Sequence, residues 1–174
     1  MKASMTRESR GHYRFGRRVV NHACLFAALL MALVALAAPL GAADDAPLER
    51  AVLEQVNAAR RAEGLGPLAA DPRLTDAARA YSCAMAREGF FDHTAPDGQT
   101  MGDRVRKAGV RYSVVGENIA KIESRDPAAR AVAGWLRSPG HRENIMEPRF
   151  THTGVGACRS GRAVYFTQLF LRPR

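Results

Sequence analysis

Three short stretches bring together residue types that do chemistry: Phe90-Phe-Asp-His93-Thr, Gly116-Glu117-Asn-Ile119 and Ser138-Pro-Gly-His141-Arg. Imidazole is the commonest protein ligand for zinc-like cations, and a carboxylate either completes such a shell or acts as a base on bound water. His93, Glu117 and His141 each lie beside a glycine, a proline or a polar turn, where a cleft at the ends of regular elements collects its side chains. The expectation is one shared site, with zinc or another divalent cation held by His93, His141 and Glu117, and with Glu117 as the candidate catalytic base. Taken singly, each residue also has a local explanation: His93 as a hydrogen-bonding loop residue, Glu117 as a turn cap, His141 as the partner of a backbone amide. The sequence has no HExxH pair, nucleophile elbow, phosphate loop or dinucleotide glycine pattern. Ser138 lies three residues before His141 but has no acid assigned to orient the pair. His152, at the opening of a strand, reads as structural or exposed.

Periodicity gives the elements that must position these residues. Leu48, Val52, Leu53 and Val56 recur at helical spacing from about Pro47 to Glu63, with Arg50, Glu54, Arg60 and Arg61 on the other face. A second helix opens at Asp71-Pro72, a cap followed by proline at the first helical position. It carries Leu74, Ala77, Ala78, Tyr81 and Met85 as its stripe and closes at Gly89. Met101 to Ala108 reads as a short helix stopped by Gly109, and Tyr112 to Val115 as a strand leading into Gly116-Glu117-Asn118. Asp126-Pro127 repeats the cap-and-proline signature ahead of Ala128, Ala131, Val132 and Trp135, and Pro139-Gly140 breaks that helix just before His141. Trp135 is expected to be core, not a stacking platform for a ligand. Phe150 to Cys158 and Ala163 to Leu171 read as two strands joined by a turn at Arg159-Ser-Gly-Arg162. Helices first and a terminal hairpin after make the class α+β.

Residues 1–43 have the parts of an export signal: a basic start, an apolar run from Cys24 to Leu40, and small residues at Gly41-Ala42-Ala43. That leaves 44–174 as one domain. Arg17-Arg18 permits twin-arginine export. An uncleaved anchor is the alternative to cleavage, although the 17 residues of the run (24–40) lie at the short end of a bilayer span. Cys24 opens the run instead of following it, which argues against a lipoprotein. The formal charge of +9 is concentrated in the leader, where six basic residues face one acid, while 44–174 holds 20 basic and 16 acidic residues. Those charges are mixed along the chain and give no case for nucleic acid. The expectation is a secreted or periplasmic monomer with no stable membrane span once the leader is removed.

Six stretches, VLEQVNAARRAEGLGPLAADPRLTDAARAYS, GFFDHTAPDG, GENIA, WLRSPGHRENIM, FTHTGVGA and YFTQLF, occur in order between about Leu48 and Arg172. Through them the chain resembles a bacterial member of the CAP superfamily (cysteine-rich secretory proteins, antigen 5, pathogenesis-related one). The resemblance implies a three-layer α-β-α sandwich with a central antiparallel sheet. It also implies a cleft of two histidines and two glutamates, of which His93, Glu117 and His141 match three. Ser138 stands where animal and plant members have the fourth, a glutamate, and Glu143 does not fill that position. Losing one carboxylate weakens a two-acid hydrolysis and lowers the charge offered to a cation. The zinc binding, sterol or lipid binding and proteolysis linked to the family do not transfer by fold alone.

Three readings remain side by side: an exported binding module whose cleft takes a divalent cation, with a lipid or an extracellular protein or cell-wall partner; a metal-assisted, peptidase-like hydrolase; and a non-catalytic extracellular interaction domain. The missing second carboxylate favours the first over the second. Cys83 and Cys158 are the cysteines beyond the leader, and in an oxidising compartment two cysteines suggest one disulfide. Against it, Cys83 falls on the Asp76, Arg79 and Arg87 side of its helix, so Cys158 has to approach a polar face.

Overall fold

Proline and short polar side chains start the helices. The computed structural model describes residues 45–174; the export signal read over 1–43 lies outside them. Helix α1 (Ala46–Ala62) has proline in its first turn, and α2 (Pro72–Glu88) begins where the Asp71 side chain accepts from Arg73 N. Gly89 ends α2 at φ 72°, a left-handed conformation that glycine adopts without strain. A reciprocal capping box between Thr100 and Asp103 holds the short α3 (Met101–Lys107). Helix α4 (Pro127–Arg137) is capped by Asp126. The Pro139-Gly140 pair ends α4 but leaves no irregular corner. Pro139 starts a new helix, α5 (Pro139–Met146), because the first helical position needs no amide proton. His141 therefore sits in a helical first turn.

Strands β1 (Ala69–Ala70), β2 (Tyr112–Ile122), β3 (His152–Ser160) and β4 (Ala163–Pro173) form one sheet in the order β1-β3-β4-β2. The three long strands are antiparallel, as expected; the two-residue β1, which periodicity does not mark, pairs parallel with β3 at the edge. Strand β2 runs well past Val115, so Glu117 is not at the end of an element: it lies mid-strand, opposite Leu169. Strand β3 starts at His152, two residues later than Phe150.

Alternation along β4 divides the core into two layers. Val164, Phe166 and Phe170 meet Val52 and Val56 of α1, Val132 and Trp135 of α4, and Ile145 of α5. Leu169 and Leu171 meet Leu74 and Ala78 of α2 and Val105 of α3, and Tyr165 joins Tyr81 and Met85 on the same side. The result is the expected α-β-α sandwich. Trp135 is 2% exposed and its Nε1–H donates to Ile119 O at 2.9 Å, so it is core. Arg60, placed by periodicity on the polar face of α1, is buried as well. Its guanidinium donates to the carbonyls of Gly66, Ile145, Glu147 and Phe150, tying α1 to the end of α5. No described helix is long and apolar enough to cross a membrane.

Close approach of α2 to β3 decides the disulfide. A Cβ at Gly154 or Gly156 would overlap the α2 backbone at Leu74–Thr75 or Ala78–Arg79. With glycine at both positions the helix lies directly on the strand, and Ser82 Oγ donates to Gly156 O at 3.0 Å. Two residues further along the same strand face, Cys158 is bonded to Cys83, with Cα atoms 5.1 Å apart. The strand thus reaches the edge of the polar flank at Cys83 while Asp76 and Arg87 stay exposed, which removes the obstacle its helical position raised.

Opening this bridge, which spans 75 positions, is expected to cost about 4–5 kcal/mol in the chain-entropy model. Denaturant unfolding of Cys83→Ser/Cys158→Ser against the parent measures it, and thiol titration of the unfolded, unreduced parent should find neither cysteine free. Trp135→Ala removes both burial and the bond to Ile119 O, with an expected loss of about 3–5 kcal/mol. A variant that melts like the parent would contradict the core role of the indole.

Candidate functional site

Glu117 points from β2 into the α2–α3 layer, and its side chain is 1% exposed. An unpaired carboxylate there would be costly, so both oxygens are engaged. Oε2 accepts from Arg104 Nη2 at 2.6 Å and Oε1 from His93 Nδ1–H at 2.8 Å. Arg104 comes from α3, is itself buried, and lies over the Tyr81 ring with its Cζ 3.4 Å from the centroid. The same guanidinium donates to His93 O at 3.0 Å and Gln99 O at 3.1 Å, and the Tyr81 hydroxyl donates to Asp92 O at 2.7 Å. The connection between α2 and α3 that carries His93 is therefore held by its backbone as well as by the imidazole.

His141 arrives from the other layer. Ser138 is the N-cap residue of α5, yet its side chain makes no capping bond. Its hydroxyl lies instead 2.9 Å from His141 Nδ1. Asn118 Nδ2 donates to His141 O at 3.0 Å, and Asn144 Nδ2 donates to Glu117 O at 3.1 Å and to Asn118 Oδ1 at 2.9 Å. Gly116 leaves the space these contacts need, since a Cβ there would press on the Asn144 amide and the Phe150 ring. The rings of His93 and His141 end with centroids 6.4 Å apart, tilted by 38°. Each has Nδ1 occupied, and neither Nε2 has a hydrogen-bond partner among the described residues.

The two imidazoles differ electrostatically. The hydrogen bond to the Glu117 carboxylate raises the His93 pKa above its ordinary value, against a smaller opposing effect of burial. Burial lowers that of His141, and the neighbouring His93 lowers it further.

His93, Glu117 and His141 are thus brought together, with Ser138 beside His141. His152 is apart, its Nδ1 against Thr151 Oγ1 at 2.9 Å where β3 begins, and Glu143 is exposed on α5. Arg104 and Tyr81 are site residues that the motif reading missed. The signal for Arg104 is that it shares a helical face with Met101, Val105 and Ala108, a cation inside an apolar stripe. Among the described residues no group of three or more His, Cys, Asp or Glu side chains is arranged to hold a metal ion.

Residues 53–170 match the family model CAP, the Cysteine-rich secretory protein family. The chain is 41% identical over 123 residues to the uncharacterized protein YkwD of Bacillus subtilis (strain 168), covering 71% of this chain and 46% of that protein. Among solved structures, an extracellular protein containing a SCP domain from Bacillus anthracis str. Ames superposes with a TM-score of 0.66 at 32% identity, over 72% of this chain and 40% of that one. An outer surface protein from Borrelia burgdorferi shares the fold at a TM-score of 0.69 and 21% identity, over 75% and 96% of the two chains. The chain spans less than half the length of the curated relatives it matches. With the family match enclosing His93, Glu117 and His141 on an α-β-α sandwich, the chain belongs to the CAP, or cysteine-rich secretory protein, family.

Proposed function

We propose that this chain is an exported binding module whose His93–His141 cleft takes a zinc-like divalent cation, beside a surface for a lipid or an extracellular protein or cell-wall partner. The observation that carries the reading is the pair of adjacent imidazoles, each pinned through Nδ1 and each with Nε2 unengaged. His93 donates to a carboxylate, which leaves the Nε2 lone pair for a cation and follows the support that metal-ligating histidines commonly receive. His141 is equivalent in the tautomer in which Nδ1–H donates to Ser138 Oγ. Two imidazoles on one tetrahedral cation have ring centroids about 5 Å apart. The separation of 6.4 Å therefore needs a closure of about 1 Å, within reach of a half-exposed His93 ring.

Glu117 supports a ligand in this reading. Its charge is neutralised by Arg104, so the cation has two protein ligands and completes its shell with water or groups of a partner, at modest affinity. A hydrolytic role requires Glu117 to release Arg104 or His93 from a buried position, and binding is the better-supported reading. The apolar leader, the disulfide and the extracellular and outer-surface relatives support export.

Calorimetry with zinc at neutral pH is the test. The parent should bind one cation, and His93→Ala and His141→Ala should each lose most of that binding while staying folded. Equal affinity in all three proteins would leave the interaction-domain reading in its place. A metal ligand must be a neutral imidazole, so protons compete first at His93, whose pKa is raised. Binding should weaken as pH falls through a value above about 6.5. Without metal the sign reverses: the His93–Glu117 pair contributes stability in full below the unfolded-state pKa and loses it as pH rises through the raised one.

A further inference from the structure

The start of β2 and the end of β4 meet the C-terminal end of α3 around a recess of about 440 Å³, lined by Arg106, Gly109, Val110, Arg111, Tyr112 and Arg174. Three of the six lining residues are arginines and none is an acid. Arg106 is fixed from one side, with Nη2 donating to Asp103 Oδ1 at 2.6 Å and Nη1 to the Tyr112 hydroxyl at 2.7 Å. Tyr112 reaches that position because residue 102 is glycine; a Cβ there would lie 2.6 Å from the hydroxyl oxygen. Arg111 and Arg174 are brought together where Arg174 N donates to Arg111 O at 3.4 Å. Both side chains are exposed, and neither guanidinium has an acceptor among the described residues. Among the described residues, the acid that these arginines engage is Asp103, held by Arg106. Cations therefore outnumber acids, and two of the three guanidiniums are unengaged.

We propose that this recess binds a phosphate group, carried either by a lipid headgroup or by a soluble phosphate. A guanidinium presents paired N–H donors that match two phosphate oxygens, and it keeps its charge at any physiological pH. Three such forks around one recess, one of them held in place by a phenol, select a compact anion with several acceptor oxygens. Asp103 serves this arrangement by fixing Arg106, and none of the ligands assigned to the histidine cleft takes part.

The full chain is titrated with pyrophosphate by calorimetry at low ionic strength, and cosedimented with phosphatidylcholine vesicles with and without phosphatidylglycerol. Residues 1–43 contribute equally to every variant, so the vesicle result is read as a difference between variants. Arg111→Gln/Arg174→Gln should weaken pyrophosphate binding about tenfold or more, because each change removes charged hydrogen bonds. Arg130→Gln/Arg137→Gln removes the same charge from exposed positions on α4 and should leave affinity within about twofold, as expected of a long-range screened effect. Circular dichroism checks that both double variants are folded. Retention on phosphatidylglycerol vesicles that the first pair of changes abolishes and pyrophosphate reverses assigns the phosphate to a lipid headgroup. Pyrophosphate binding without such retention assigns it to a soluble phosphate. Equal losses in the two double variants, or no pyrophosphate binding and no variant-dependent retention, would overturn the proposal.

Discussion

A carboxylate buried at the middle of a strand has to be neutralised, and the neutralisation of Glu117 organises one face of the sheet. Arg104 supplies the charge from α3, but a buried guanidinium has its own demands. They are met by the Glu117 oxygen, the His93 and Gln99 carbonyls and the face of Tyr81, with only Nε left without a partner. Each requirement recruits the next: the carboxylate needs the arginine, the arginine needs acceptors, and those acceptors are the backbone of the connection that carries His93. Breaking such a buried pair by removing one partner typically costs about 3–5 kcal/mol. The position of His93 is thus coupled to the packing of α3 on the sheet.

The second histidine depends on a different set of supports. Helix α5 has eight residues, far too short to be stable alone, so its placement comes from tertiary contacts. Ile145 buries its side chain in the core, and Arg60 binds the carbonyls of Ile145 and Glu147 at the helix end, where a cation also complements the backbone dipoles. The same logic operates at the far edge of the sheet. Beyond the two residues that β1 covers, β3 has an open edge, and Glu49 of α1 accepts from Ala157 N there while also pairing with Arg79 of α2. Charged side chains of α1 therefore act as joints: Arg60 ties it to the end of α5, and Glu49 ties it to the sheet edge and to α2.

What was legible in the sequence follows the range of the interactions. The capping signatures Asp71-Pro72 and Asp126-Pro127 are local, and both helices start where they point. The apolar stripes Leu74, Ala77, Ala78, Tyr81, Met85 and Ala128, Ala131, Val132, Trp135 are local periodicities, and all but the half-buried Ala77 are buried. Arg60 was misplaced because its partners include carbonyls of distant segments, which leave no mark in a helical pattern. The extent of β2 was hidden for a related reason. Gly116-Glu117-Asn118 reads as a turn by composition, and only long-range partners for the glutamate and the asparagine make a strand tolerable there. The three cleft residues were visible as motifs, whereas Arg104, on which the cleft rests, was marked only by its place in an apolar helical stripe, a signal that names no partner.

The Gly116-Glu117-Asn118 segment also explains how two histidines from opposite layers come to face each other. Successive residues of a strand point to opposite faces. Glu117 reaches into the α2–α3 layer and holds His93; Asn118 reaches into the α4–α5 layer and holds the backbone of His141, with Gly116 on the same face leaving room for Asn144. Because β2 is the last strand of the sheet among the described residues, no further described strand separates the two layers beyond it. The imidazoles meet over that edge, their separation set by adjacent residues of one strand. A shift of β2 by one residue would exchange the faces of Glu117 and Asn118 and part the rings, and pairing with β4 from Val114 through Ile122 is what fixes the register.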